Sequence, residues 1–227
     1  MTSAYVGRAV ELVFGGALSS VVVALLALGP GALPAWGLGR RMGWGRAAIV
    51  PAALAFSSAV AALAAIPTFL MGGSLSVALV VYGVLALMFG WLGWRWGRGR
   101  PPLEPDRQGV VLGAAAAILA LVQGPYMGQT ADTFYHLAAA RSLLATGRAM
   151  VTDPLYGTAA TALDPTSGIW HTMLAWWSRL TTLDPAWLWA GLTTVAAGAL
   201  VLALWSIVRR VSGSDRAATI AAVAWLT

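Results

Sequence analysis

Apolar residues run almost unbroken over 9–28, 47–70, 75–94, 108–124 and 186–208, and another run opens near 216. Each of the first five approaches the ~20 residues an α-helix needs to cross a hydrocarbon core ~30 Å thick. The segments between them are polar or bear glycine and proline, and all but one are short. This pattern predicts an all-α, polytopic membrane helix bundle. The last run meets Thr227 after twelve residues, too few to cross, so the chain reads as the N-terminal portion of a longer protein, inactive as it stands. Arg8 before the first run, with Ala17 and Ser19 inside it, imitates a signal peptide. Residues 12–28 are nonetheless long enough to remain as a helix, with Glu11 at its edge.

Two sets of residues punctuate the runs. Gly29-Pro30-Gly31 and Arg100-Pro101-Pro102 are expected to end helices where the apolar stretches end. Met71-Gly72-Gly73-Ser74 reads as a tight uncharged turn. Three loops carry the positive charge: Arg40, Arg41 and Arg46 in 29–46, Arg95, Arg98, Arg100 and Arg107 in 95–107, and Arg209, Arg210 and Arg216 in 209–216. Cytoplasmic loops of membrane proteins are rich in arginine and lysine, so these three are assigned inside. The 71–74 turn, the long 125–185 segment and the N-terminus are then outside, and the alternation closes without contradiction.

Composition sharpens this picture. Only 10% of residues are charged and 59% are apolar, against about a quarter charged in soluble domains. The net charge of +6 would suggest nucleic acid in a soluble protein; here it marks topology, and no nucleic-acid partner is expected. Every basic side chain is arginine, and the abundance of Ala and Gly fits a GC-rich bacterial genome, hence a bacterial cytoplasmic membrane. Cysteine is absent, which leaves no disulfide framework or thiolate metal site. Spacings such as Gly109 to Gly113 suit close helix packing in lipid without naming a dimer face.

The 125–185 segment is where chemistry concentrates. Residues 131–147 read as a helix, with Thr130 as N-cap and Gly147 as its stop. At 100° per residue Asp132, His136, Ala139 and Leu143 share one stripe, and Phe134, Leu137, Ala138 and Leu144 lie opposite. A second helix is expected from Gly168 to about Leu183, following the turn 163–168. Its Ile169, Trp170, Met173, Trp177 and Leu180 cover one side and suit the headgroup region. The twelve Trp are read mostly as interface anchors. Asp184-Pro185 supplies an N-cap and a first-turn proline for the returning span.

A span going out, an acid-bearing helix, an extended stretch, a second surface helix and a span returning resemble the GT-C superfamily of membrane glycosyltransferases. The stretch Asp132-Thr-Phe-Tyr-His136, continued by Arg141, the Leu143-Leu144 pair and Gly147, is similar to the motif after the first span of oligosaccharyltransferase catalytic subunits. Asp164-Pro-Thr-Ser-Gly168 and His171 are similar to the later turn and second helix of that loop. The match spans roughly 108–210, dividing the chain into a three-span region, 1–107, that the family does not share, and a GT-C-like region, 108–227. The resemblance implies transfer of a sugar from a polyprenyl-phosphate donor at the external face, with membrane lipid and the lipid-linked sugar as partners. It makes Asp132 the catalytic acid, as general base or metal ligand, and Asp153 a second acid. A divalent cation, Mg2+ or Mn2+, on Asp132 and Asp153 is compatible with it, although the paired acids of several families are missing. His136, Asp153, His171 and Arg141 are the candidate substrate contacts.

Each candidate also has a structural reading. Asp132 sits where a carboxylate stabilises a helix start by about 0.3–1 kcal/mol. His136 is within reach of Asp132 one turn back, His171 is a lone imidazole, and Asp153, Asp164 and Asp184 precede proline as turn or cap residues do. Arg141 faces away from Asp132, toward a lipid phosphate or simply the interface. A transporter or lipid-glycan flippase, and a non-catalytic membrane scaffold, remain the rival functions; the first of these calls for polar groups deep in the spans, which are nearly lacking.

Overall fold

The computed structural model describes residues 2–123, 131–148 and 169–226; side chains are described from Glu11 onward and, in the 131–146 helix, from Thr133. Every regular element among them is helical: α1 (Thr2–Met42), α2 (Ile49–Leu70) after a single 3-10 turn, α3 (Leu75–Gly97), α4 (Arg107–Gln123), α5 (Ala131–Thr146), α6 (Ile169–Thr181), α7 (Pro185–Ser212) and α8 (Asp215–Leu226). Among the described residues four helices are long and apolar enough to cross a membrane: α1, α2, α3 and α7. This is a multi-pass, all-α membrane bundle. α4 is apolar but shorter, 17 residues, and packs along α7.

One sequence expectation fails at once. Gly29-Pro30-Gly31 does not end a helix, because α1 continues through Pro30 and Pro34 to Met42. In water these residues would read as a turn. In lipid a helix that stops leaves backbone groups with no water to bond, so the helix persists where a neighbour repairs the damage. Here Ser57 of α2 is that neighbour, its Oγ accepting from the Gly31 N–H at 2.9 Å. Arg40 and Arg41 therefore sit in the last turn of α1, where the negative end of the helix dipole favours cations, and the expected 29–46 loop shrinks to residues 43–48. The Arg-Pro-Pro expectation holds, since α3 stops at Gly97.

The chain is tied at two ends. At one, Arg46 N–H donates to the Glu104 carbonyl at 3.0 Å, so the segment after α1 meets the segment after α3, beside the start of α8. These segments, with the adjoining helix ends, hold the arginines assigned to the inside. At the other end, Leu75 N–H donates to the Gly147 carbonyl at 2.7 Å, and Trp176 Nε1–H donates to the Leu75 carbonyl at 3.1 Å. The 71–74 turn, α5 and α6 thus cluster together, as the alternation requires. Ser74 caps α3 by accepting from the Val77 N–H, and Gly147, at φ +67, closes α5.

α6 is packed more deeply than a headgroup helix. Every residue from His171 to Ser178 is buried, and Trp176 and Trp177 belong to the core that α1, α2, α3 and α7 share. Trp176 stacks on Tyr82 at 5.0 Å. With Trp205 also buried, the expectation that the tryptophans are mostly interface anchors is corrected for these three; Trp91, Trp94 and Trp225 do remain exposed. The helix ends on Thr182 at φ +61, a left-handed conformation that costs an L-residue about 1–2 kcal/mol and is rarest for β-branched ones. Thr182→Gly is expected to raise the melting temperature in detergent by roughly 2–4 °C. An unchanged or lower value means that the Thr182 hydroxyl, bonded to the Thr181 carbonyl, already offsets the strain.

Candidate functional site

α5 turns its predicted stripe inward. Ala139, Ala140 and Leu143 are buried, Leu137 joins them, and Phe134 is 57% exposed. Asp132 is placed by its backbone alone, in the first turn of α5, one turn before His136. Asp153, Asp164 and the turn 163–168 lie outside the described residues, as does Thr130.

The structure brings together two residues that are 35 apart in sequence. His136 Nδ1 lies 2.7 Å from His171 Nε2, with the rings 4.9 Å apart and nearly parallel. One hydrogen must lie between the facing nitrogens, for two lone pairs or two N–H groups would repel at that distance. His136 also stacks on Trp189 at 5.0 Å, so α5, α6 and α7 each contribute one ring. Tyr135 stands edge-on to both histidines. His171 is buried and His136 partly so.

The histidine pair forms one end of a cavity of about 600 Å³. Its remaining walls are mostly apolar and come from α2 (Pro51, Leu54, Ala55) and α7 (Leu192, Ala196, Ala199, Leu200, Ala203), with Trp170 at the mouth. From Trp189 to Ala203 the wall follows α7 for about 21 Å at 1.5 Å per residue. Ser58 and Thr193 are its polar exceptions, and both hydroxyls bond back to their own helices. The result is a long oily groove with imidazoles at one end.

Arg141 is drawn elsewhere. Its guanidinium meets Asp184 at 2.9 and 3.2 Å, and Asp184 in turn accepts from the Ala186 N–H at 2.8 Å, the cap foreseen in the sequence. Partial burial pushes the Asp184 carboxyl up, but the Ala186 N–H and Arg141 together outweigh it and hold it below the ordinary carboxylate value. Among the described residues no three His, Asp or Glu side chains converge as a metal site. The side chains of Asp132 and Asp153, the two acids named for Mg2+ or Mn2+, lie outside the described residues.

Sequence reasoning missed Trp189 and the α2 wall. The only signal was the stripe of α5, which puts His136 on one face with Ala139 and Leu143 but does not say which face turns inward or what it meets. No family model matches the chain, and no curated protein or solved structure matches it.

Proposed function

We propose that this chain forms part of a membrane glycosyltransferase of the GT-C kind, transferring a sugar from a polyprenyl-phosphate donor at the outer face of a bacterial cytoplasmic membrane. The observation that carries the reading is the histidine pair heading the apolar groove, with His136 on the helix that bears Asp132. An amphiphile with a phosphate head and a long hydrocarbon tail suits that shape: the second N–H of the histidine pair donates to a phosphate oxygen, and the tail fills the groove between α2 and α7. In the reaction the acceptor oxygen forms a bond to the anomeric carbon as the bond to the phosphate oxygen breaks. The acceptor's proton passes to the Asp132 carboxylate, and polyprenyl phosphate departs with the electron pair. The arginine-rich end, remote from the histidines, supports the assignment of the site to the outside.

The test compares wild type, Asp132→Asn and His136→Leu, each as the full-length gene product in membranes at equal expression, for release of polyprenyl phosphate from a panel of lipid-linked sugars. Asp132→Asn is expected to lower turnover by at least about 100-fold, as removal of a general base does, and His136→Leu by about 10-fold through weaker donor binding. An active wild type matched by the Asn variant would reduce Asp132 to a helix cap.

A further inference from the structure

A second groove of about 590 Å³ lies between α1 and α3, lined by Gly29, Pro30 and Leu33 on one side and Gly83, Leu87, Trp91 and Trp94 on the other. Two of its glycines have no reason to be glycine within the fold. Elsewhere on these helices a missing Cβ permits backbone contact, as at Gly31, Gly37 and Gly93. A Cβ on Gly29 or Gly83, by contrast, would meet nothing, and neither residue has a left-handed backbone. Glycine inside a helix costs about 1 kcal/mol relative to alanine, so the space it leaves is kept for something outside the chain.

The groove has a charged end. The Arg95 guanidinium lies 5.5 Å from the Trp91 ring and that of Arg98 lies 5.1 Å from the Trp94 ring, so both stand over the tryptophans that close it. Among the described residues neither makes an ion pair with a carboxylate. From Gly83 to Trp94 the helix rises about 16 Å, half of a ~30 Å hydrocarbon core and so the depth of one leaflet. Trp at the boundary and Arg beyond it match the order of acyl chain, interface and headgroup.

We propose that this groove holds one anionic diacyl phospholipid from the leaflet at the arginine-rich end, an acyl chain lying against Gly29 and Gly83 and the headgroup phosphate between Arg95 and Arg98. The site is separate from the histidine-headed groove and stands whatever that groove binds.

Native mass spectrometry of the purified protein, titrated with phosphatidylglycerol or phosphatidylcholine of the same chains, tests it. Wild type is expected to retain one phosphatidylglycerol with at least 5-fold preference over phosphatidylcholine. Arg95→Gln with Arg98→Gln abolishes the preference, and Gly83→Leu, whose Cβ meets no atom within 4 Å and whose folding is checked by an unchanged melting temperature, lowers retention of the lipid at least 5-fold. Equal binding of the two lipids overturns the proposal. So does a Gly83→Leu variant that binds as wild type does, since exposed arginines would then attract headgroups without a seat for the chain. A chain dimer in place of the lipid adduct overturns it as well.

Discussion

Gly93→Leu is expected to separate α1 from α3 and lower the melting temperature in detergent by on the order of 10 °C. The two helices touch here through their backbones. A Cβ on Gly93 would fall on the Leu33 carbonyl group, 2.5 Å from its carbon, and a Cβ on Gly37 would fall on the Gly93 carbonyl. Overpacking a core against movable side chains costs typically 1–3 kcal/mol; against backbone no rotamer change relieves the contact, so about 3 kcal/mol or more is expected. At roughly 2–4 °C per kcal/mol for a chain of this size, that gives the stated shift. The loss is a large share of the 5–15 kcal/mol that folded domains possess, so the yield of folded protein should fall too. Val80→Leu, at a position 67% exposed on the same helix, is the control. If the two variants melt within 2 °C of each other, the close approach of α1 and α3 is not what the structure describes.

What the sequence revealed and what it hid follow from the range of the forces concerned. The starts of α3 and α7 and the end of α5 were legible because hydropathy and caps are local: Ser74, Asp184 and Gly147 do at their helix ends what their residue types do anywhere. The end of α1 was not legible, because whether Pro30 breaks a helix depends on Ser57, which bonds the Gly31 N–H from 26 residues away. Likewise, the stripe of α5 placed His136 on one face with Ala139 and Leu143, and the resemblance raised His171 as a candidate. Their meeting, and Trp189 against them, depend on how α5, α6 and α7 pack. α6 shows the same limit from the other side. Its aromatic face suited a membrane surface on its own, yet the space between α3 and α7 claims it for the core. Asp106 gave no signal at all, since an acid between a proline and an arginine at a helix start looks like an ordinary solvated residue.

That last residue carries the other large effect. Asp106 is 5% exposed, accepts from the Ala47 N–H at 3.1 Å and is ion-paired with Arg209 of α7. Arg209 also meets Asp215 at 2.7 Å and lies over the Trp205 ring at 5.3 Å, so one guanidinium joins the segment before α4 to the ends of α7 and α8. Arg209→Ala leaves the Asp106 carboxylate buried without its cation, a change that costs about 3–5 kcal/mol. Arg209→Lys keeps the charge but not the fork that serves two carboxylates at once, and an intermediate loss is expected. Asp215→Asn removes a half-exposed partner and should cost no more than about 1 kcal/mol. Because replacing both members of a buried pair can be nearly neutral, Arg209→Met combined with Asp106→Asn should recover much of what Arg209→Ala loses. Thermal unfolding of these four variants in one detergent gives the ranking. If Arg209→Ala costs no more than Asp215→Asn, the pair is a solvated surface contact, and the arginine-rich end of the bundle is held by its apolar packing around Trp205 alone.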